Sequence, residues 1–294
     1  MKHIKTYINE QLHTLYPPEE IRCFVRIILE KVCGLSFNQQ VLCHDKKLPE
    51  EEKKQIYAIV DRLLKMEPLQ YILGETEFYS LPMKVNPSVL IPRPETEELV
   101  DLILKSPFVK KQSKRKGFIV LDIGTGSGCI AIALAKNLPE SLVVALDNSV
   151  ESLQVAKQNA QLNEVQILFS HNDILNKEKV LTKIMGMYSL IVSNPPYIRN
   201  SEKASMNASV LNYEPHKALF VPDSNPLKYY NKIADLALKK LIFNGMLFLE
   251  INPLCSKLVY KMLNDKGFYN VRIIHDLSGK ERFIAAHRRS LAFT

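Results

Sequence analysis

One stretch of the chain predicts a buried strand, a glycine-rich loop and a helix in direct succession. Residues 118–123, which are apolar except for Asp122, lead into the loop, and residues 129–137 have helical character. Between them stand Gly124, Thr125, Gly126, Ser127 and Gly128. Glycines permit a sharp turn and a close approach of the backbone to a ligand, but this spacing differs from the G-x-G-x-x-G pattern of pyrophosphate-binding loops. The stretch therefore predicts an α/β fold with a ligand at the end of this strand, and it disfavours NAD.

Two acidic residues follow the next two predicted strands. Strand 142–146 ends at Asp147, whose carboxylate can accept hydrogen bonds from two ribose hydroxyls, and Ser149 is placed to cap the following helix. Strand 165–169 is followed by Asp173, which can accept a hydrogen bond from an adenine amino group. Taken alone, each aspartate is also a common turn residue. Together with the glycine loop, they favour a cofactor that contains a nucleoside.

A loop rich in hydrogen-bond acceptors follows another short apolar strand. Residues 190–193 end at Asn194, Pro195, Pro196 and Tyr197. Neither proline has an N–H, and Pro195 favours an extended backbone at the asparagine, so the side-chain oxygen and nearby carbonyls are free to accept. A planar NH₂ group bound there has its lone pair fixed in one direction, as in-line transfer requires. A tight surface turn is the alternative interpretation.

Composition indicates an ordinary folded protein. The chain has 294 residues, of which 46% are hydrophobic and 24% charged, which is enough for one large and one small domain. Its longest apolar runs are shorter than the roughly 20 residues of a membrane helix, and its first residues lack the apolar core of a signal peptide. We therefore expect a cytoplasmic protein that does not associate with a membrane.

Cysteine use and charge argue against two kinds of site. The five cysteines contain no C-x-x-C pair, which favours reduced thiols over disulfides or a zinc cluster, and we expect no metal. The net charge of +8 arises partly from the basic run 110–116, which we expect to be a solvated linker. No nucleic-acid-binding module is recognisable, so we expect no stable complex with nucleic acid. The cysteines are Cys23, Cys33, Cys43, Cys129 and Cys255.

Periodicity divides the chain into three regions. Residues 1–66 predict a small helical bundle, because apolar residues recur at helical spacing in 21–32 and 56–64. Residues 67–92 predict a connecting β-hairpin. Residues 93–294 alternate between helices and strands, which predicts an α/β domain. Its later elements are expected as helices at 95–104 and 226–242 and as strands at 245–251, 271–275 and 282–286.

These motifs carry a resemblance to a known family. Residues 122–128, Asp147 and residues 191–198 resemble the class I methyltransferases that depend on S-adenosylmethionine. Further motifs make the chain similar to the peptide chain release factor glutamine methyltransferases, the HemK/PrmC family; they are residues 68–74, 89–97, 213–219 and 276–282. The resemblance implies a Rossmann-like, mostly parallel sheet of seven strands, with the helical bundle as a substrate-docking domain.

The resemblance also implies an activity. A methyl group would pass from S-adenosylmethionine to the side-chain nitrogen N5 of the glutamine in the Gly-Gly-Gln motif of release factors, leaving S-adenosylhomocysteine. Asn194 and Pro195 would be catalytic and hold the two amide hydrogens, with Pro196 and Tyr197 as further substrate contacts. Tyr197 would line the glutamine stem or pack its ring under the loop. We expect a monomer. The implied cofactor-binding residues are Gly124, Thr125, Gly126, Ser127, Gly128, Asp147, Asp173, Ile174 and Asn194.

Two alternatives stay open. Asn-Pro-Pro-Tyr also suits the exocyclic amines of bases, so a DNA or RNA amino-methyltransferase is one, although no target-recognition element is evident. A non-catalytic binding module is the other.

The chain departs from the family pattern at Ser80 and Asn252, where glycine is usual, at Ile174, where an aromatic residue is common, and at Ser189, where an acidic one often stands.

Overall fold

The structure is a computed structural model that describes residues 1–42, 47–176 and 186–289. Cys43 lies outside these ranges. Within them, no helix has the length and apolar character needed to cross a membrane. No group of three or more histidine, cysteine, aspartate or glutamate side chains in the same ranges is arranged to hold a metal ion. Free thiols are found at Cys23, Cys129 and Cys255.

The first of two compact units comprises Met1–Gly74 and Asn207–Tyr213. It is the helical bundle that the apolar spacing predicts. Its core contains Ile8, Ile28 and Ile56, all with no exposed surface, because each helix turns its apolar face inward. The helices are Lys2–Leu12, Pro18–Cys33, Phe37–Leu42, Glu50–Leu63, Leu69–Leu73 and Ala208–Tyr213.

The end of this unit differs from the sequence-based expectation. Leu69–Leu73 is a short helix rather than an extended stretch. Pro68 precedes it, where its fixed φ suits a helix start, and Gly74 closes it with a φ of 72°. Leu69 and Tyr71 are buried, so packing favours the helix. The unit therefore continues to Gly74 instead of ending at residue 66.

A β-hairpin opens the second unit, Glu75–Met206 with Glu214–Thr294. Strands β1 (Glu75–Phe78) and β2 (Leu81–Lys84) pair antiparallel. Between them, Ser80 has a φ of 59°, so this position keeps the left-handed backbone that the family's usual glycine adopts easily. The hairpin occupies the middle of the predicted connector.

The remainder of this unit is built on one seven-stranded sheet, as predicted. The strand order is β10-β11-β9-β6-β3-β4-β5, and only β11 runs antiparallel to its neighbours. Strands β7 and β8 form a separate parallel pair. The strands are β3 (Ile119–Ile123), β4 (Leu142–Asp147), β5 (Ile167–His171), β6 (Tyr188–Ser193), β7 (Ile198–Arg199), β8 (Phe220–Val221), β9 (Leu241–Glu250), β10 (Phe268–His275) and β11 (Glu281–Arg288).

Helices cover both faces of the sheet. Alternate residues of its central strands point to opposite faces, so Val120 and Val192 belong to one core cluster and Leu121 and Ile191 to the other. All four side chains are completely buried, which explains the continuous apolar runs of the sequence. The covering helices are Pro94–Lys105, Cys129–Asn137 and Val150–Leu162 on the first face and Lys228–Lys240 and Ser256–Asp265 on the second.

The basic run is not a linker along its whole length. Its first residues belong to the helix Pro107–Gln112, which was not predicted. Val109 has no exposed surface and packs into the core cluster of the first face. One apolar side chain thus anchors the segment, while Lys114, Arg115 and Lys116 remain exposed.

Gly128 is required at the start of the helix Cys129–Asn137 for two separate reasons. Its φ is 84°, and a Cβ built there would lie 3.1 Å from both Ala156 Cβ and Ile132 Cδ1. We expect Gly128→Ala to destabilise the fold by about 2 to 5 kcal/mol, combining left-handed strain with overpacking. Urea unfolding followed by circular dichroism measures this loss.

Gly117→Ala is the matched control. Gly117 has a φ of 88°, but no atom lies within 4 Å of the Cβ position. This variant should lose only the backbone part, about 1 to 2 kcal/mol. Equal losses in the two variants would contradict a packing role for Gly128.

Candidate active site

A cavity of about 990 Å³, including its open mouth, lies at the carboxyl edge of the central sheet. Strand β3 pairs with β4 on one side and β6 on the other, so the cavity occupies the point where the strand order reverses. Most of the predicted site residues line it: Gly124, Thr125, Gly126, Ser127, Asp147, Asp173, Ile174, Asn194, Pro195 and Pro196.

Two predicted site residues are not part of this lining. Gly128 packs closely against Ala156 and Ile132, so it shapes the loop from below. Tyr197 packs against the core cluster of the second face, and its hydroxyl donates a 3.0 Å hydrogen bond to Glu250 Oε1. Ring packing is one of the two roles expected for this tyrosine, and a contact with substrate stays a prediction.

The glycine loop exposes backbone to the cavity. Gly124 and Gly126 have φ values of 73° and 56°, and no atom lies within 4 Å of either Cβ position. The N–H groups of Gly124 and Thr125 donate to the Leu146 carbonyl at 2.8 and 3.0 Å, which joins the ends of β3 and β4. A ligand can therefore approach the main chain here without meeting a side chain.

Asp147 connects the glycine loop to the next helix. Its Oδ2 accepts from the Gly126 N–H at 2.8 Å, and its Oδ1 accepts from the Ser149 N–H at 2.9 Å. Burial raises the pKa of Asp147 above its usual value, and the backbone hydrogen bonds act in the opposite direction. Ser149 caps the helix as predicted, because its Oγ accepts from the Ser152 N–H. The cavity thus has a fixed carboxylate at its wall.

Asp122 supports the loop from beneath and was not assigned a role from the sequence. It has no exposed surface, and its Oδ2 accepts a 2.6 Å hydrogen bond from the Thr125 hydroxyl. Burial is the main reason that the pKa of Asp122 rises to about 7, and the nearby charge of Asp147 raises it further. Its sequence signal is an acidic residue inside an otherwise apolar strand.

The third strand end supplies another acidic residue. Asp173 Oδ1 accepts from the Leu175 N–H at 2.9 Å, so the aspartate also orders its own turn. Ile174 packs against the core cluster of the second face and lines the cavity beside Tyr229. This wall is therefore apolar with one carboxylate.

The orientation of Asn194 is set by a chain of hydrogen bonds. Its Nδ2 donates to Thr96 Oγ1 at 3.1 Å, and the Thr96 hydroxyl donates to Glu250 Oε2 at 2.7 Å. The backbone beneath it is fixed as well, because the Ser193 hydroxyl donates to the Ile123 carbonyl at 2.6 Å. Since the amide nitrogen is engaged by protein, Oδ1 is the end of Asn194 that can serve a ligand.

Glu250 accepts the last hydrogen bond in the series that begins at Asn194. It stands at the end of β9 and is only 2% exposed. Burial raises its pKa to about 7, while hydrogen bonds from Thr96 and Tyr197 and the charge of Arg282 act to lower it. Glu250 does not line the cavity, but it bonds directly to Tyr197 and, through Thr96, is connected to Asn194 at the other end of the segment.

Two further contacts shape the loops around the site. Glu214 accepts from Arg93 Nη2 and, at 3.2 Å, from the Ile91 N–H, which ties two distant motifs together. Asn252 Nδ2 donates to the Tyr197 carbonyl at 3.1 Å and to Glu202 Oε1 at 3.0 Å. The asparagine that replaces the family's glycine therefore has a structural role here.

Two family descriptions match the sequence. The PrmC N-terminal domain matches residues 6–74, and the methyltransferase small domain matches residues 102–218. Among solved structures, a methyltransferase from Pyrococcus furiosus has a TM-score of 0.51 and 17% identity, covering 72% of this chain and 91% of its own. A 16S rRNA N2 G1207 methyltransferase from T. thermophilus also gives 0.51 and 17%, covering 73% and 50%. At this identity they show the fold alone.

Relatives of nearly equal length are much more similar. The release factor glutamine methyltransferase of Flavobacterium psychrophilum is 44% identical over 98% of this chain and 99% of its own. That of Bacteroides thetaiotaomicron is 41% identical over 98% of this chain and its full length. That of Streptococcus pneumoniae is 37% identical over 97% and 98%. The chain therefore belongs to the release factor glutamine methyltransferase family, as its motifs predict.

Proposed function

We propose that this protein transfers a methyl group from S-adenosylmethionine to the side-chain nitrogen N5 of the glutamine in the Gly-Gly-Gln motif of peptide chain release factors. Family membership supports this choice of substrate. The observation that carries the reaction type is the amide of Asn194, which is held by Thr96 so that an acceptor oxygen remains for an NH₂ group. Because release factors act in translation, we place the enzyme in the cytoplasm.

The residues of the cavity fit S-adenosylmethionine. The backbone at Gly124 and Gly126 is open to a ligand, and the buried carboxylate of Asp147 stands beside it. We assign Asp147 to the ribose hydroxyls and the wall of Asp173 and Ile174 to adenine, as expected at such a strand edge. When bound, S-adenosylmethionine supplies a methyl group carried by a positively charged sulfur.

The protein must help a poor nucleophile, because the lone pair of an amide nitrogen is delocalised into its carbonyl. In this proposal Asn194 Oδ1 and the Pro195 carbonyl accept the two N–H groups. These hydrogen bonds strengthen as positive charge develops on nitrogen, so they stabilise the transition state more than the ground state. As the nitrogen bonds to the methyl carbon, the bond from that carbon to sulfur would break and S-adenosylhomocysteine would leave. The nitrogen then releases one proton to water, and no strong base is needed.

The direct test is methylation of purified release factor with labelled S-adenosylmethionine. One added methyl group on the glutamine-containing peptide, located by fragmentation in a mass spectrometer, is expected. A release factor with that glutamine replaced by alanine is the control and should remain unlabelled. Transfer to RNA or DNA, but not to release factor, would overturn the proposal in favour of a nucleic-acid amino-methyltransferase.

The assignment of Asp147 predicts a change in cofactor affinity. We expect Asp147→Asn to weaken S-adenosylmethionine binding by about 1 to 3 kcal/mol, because the ribose loses a charged acceptor. Calorimetric titration measures this change. Asp235→Asn removes an aspartate that pairs with Lys266 away from the cavity lining, so it should bind normally. Unchanged affinity in folded Asp147→Asn would exclude this residue from the cofactor site.

The assignment of Asn194 predicts a change in the chemical step. Asn194→Ala should lower the single-turnover rate by about a hundredfold or more, as expected when one preorganised transition-state partner is lost. Binding of S-adenosylmethionine should change much less. A near-normal rate at saturating substrate would contradict the mechanism.

We also propose that the N-terminal unit docks the release factor. Its helix Phe37–Leu42 exposes Phe37, Val41 and Leu42 by 60%, 59% and 79%. Neighbouring exposed apolar side chains on one short helix are typical of a surface for another protein. The match of residues 6–74 to the PrmC N-terminal domain supports the assignment, because the family resemblance implies a docking role for this unit.

Docking by this helix predicts an effect on affinity rather than on turnover. Phe37→Ala should raise the KM for intact release factor severalfold, with kcat nearly unchanged, because the lost contact would serve binding and not the chemical step. Steady-state kinetics with full-length factor provides both values. Phe243→Ala removes a similarly exposed phenylalanine, 50% exposed, from the second unit and is the matched control. Equal effects of the two variants would argue against docking on this helix.

A further inference from the structure

The carboxylate of Glu250 determines the direction of each hydrogen bond between it and Asn194. An ionised carboxylate can only accept, and a threonine hydroxyl has a single hydrogen. The 2.7 Å bond to Glu250 Oε2 uses that hydrogen, so Thr96 Oγ1 can only accept from its other neighbour. The neighbour is Asn194, whose Nδ2–H must therefore point to Thr96 at 3.1 Å. Neither orientation of the asparagine amide is favoured by the asparagine itself.

We propose that Glu250 is a positioning residue that acts through Thr96 to make Asn194 present a hydrogen-bond acceptor to the substrate. The inference rests on the proposed function, because an NH₂ group needs acceptors at this point. With the amide reversed, Nδ2 would face the substrate N–H groups, donor against donor. Glu250 thus makes the site select an NH₂ group, although Glu250 itself does not contact the substrate.

The second oxygen of Glu250 serves the same segment. Tyr197 donates to Oε1, so one carboxylate holds the last residue of Asn-Pro-Pro-Tyr directly and the first residue through Thr96. The two branches use different oxygens, and among the described residues Thr96 is the one that accepts a side-chain hydrogen bond from Asn194. Loss of the tyrosine hydroxyl should loosen the loop but keep the hydrogen-bond direction at the asparagine.

Burying a carboxylate costs desolvation free energy, so its use to fix a loop indicates a role beyond packing. Apolar residues of similar volume are often at least as stable at such positions. The groups facing Glu250 are Thr96 and Glu95 from one helix, Cys129 and Tyr230 from two others, Tyr197 from the loop and Arg282 from β11. Arg282 is itself bonded to Asp276 at 3.2 Å, so its charge is shared.

Protonation of Glu250 would release the directional constraint. A protonated carboxyl group can donate to Thr96, which then has its own hydrogen free to point at Asn194. Burial raises the pKa of Glu250 to about 7. The methylation rate, measured with saturating release factor and S-adenosylmethionine, should therefore fall as the pH is lowered through neutrality. Asp122 titrates in the same range, so the wild-type profile needs comparison with variants of Glu250.

Kinetics of isosteric variants tests the proposal. Glu250→Gln and Thr96→Val should each lower kcat by about tenfold to a hundredfold, as expected for misorientation of a reacting group, and Thr96→Ser should recover most of the loss. Affinity for S-adenosylmethionine should stay within about twofold of wild type in all three. Glu250→Gln should also lose the change in rate near pH 7 that the wild type retains. A normal kcat in folded Glu250→Gln would overturn the inference.

A double-mutant cycle shows whether Glu250 acts through Asn194. In an Asn194→Ala background, Glu250→Gln should have almost no further effect on the rate, because the group that it orients is gone. Additive losses would mean that Glu250 acts elsewhere, which contradicts the proposal. Asp235→Asn, outside the network, should leave the rate of the wild type and of Asn194→Ala unchanged.

A measurement without substrate separates this inference from the proposed function. In protein labelled with ¹⁵N-asparagine, the side-chain NH₂ of Asn194, identified by its absence in Asn194→Ala, should exchange slowly with solvent. The exchange should become fast in Glu250→Gln and Thr96→Val and remain slow in Tyr197→Phe. Fast exchange in the wild type would overturn the positioning role. Slow exchange together with a failure to methylate release factor would instead overturn the proposed function.

Discussion

The parallel pairing of β3 with both β4 and β6 is the constraint on which the rest of the site depends. Ile123 lies opposite Leu146 on one side and Ser193 on the other, so the three strands end at the same level of the sheet. Because parallel strands send their carboxyl ends to one edge, the glycine loop, Asp147 and Asn194 meet there although they are far apart in the sequence. The hydrogen bonds from Gly124 to the Leu146 carbonyl and from Ser193 to the Ile123 carbonyl then fix this edge in detail.

The features that sequence predicts well are those that one segment determines locally. Local residue preferences determine the strand, the glycine loop and the helix that follows them, and the helix Cys129–Asn137 forms as expected. Short elements were missed where tertiary packing decides: Leu69–Leu73 and Pro107–Gln112 are helical because a few side chains are buried. The partners of Asn194 could not be derived from spacing, since Thr96 and Glu250 come from a distant helix and the end of β9. Tyr197 had two open roles because only the tertiary position of its hydroxyl separates them.

Buried carboxylates in this site oppose folding. Burial raises the pKa of Asp122 and of Glu250 to about 7, from ordinary values near 4. The unfolded chain therefore releases these protons at lower pH than the folded chain does, so these two groups destabilise the fold increasingly as the pH rises from about 4 to about 7. Above their folded pKa values the penalty is constant. Such acids persist where they orient other groups, Thr125 in one case and Thr96 in the other.

The acceptor geometry also defines how much selectivity the cavity can have. In the proposed function, two acceptor oxygens recognise any planar NH₂ group of suitable size, whether on a glutamine or on a nucleobase, so the Asn-Pro-Pro-Tyr segment alone cannot choose a protein over a nucleic acid. Discrimination must then come from contacts that the alternatives cannot make. In the proposed function the N-terminal helical unit meets that need, because binding energy from contacts outside the reacting groups can be used to position one particular amide at the acceptors. In the proposed function, chemistry belongs to the Asn-Pro-Pro-Tyr segment and selection to the helical unit, so we expect each to be altered without removing the other.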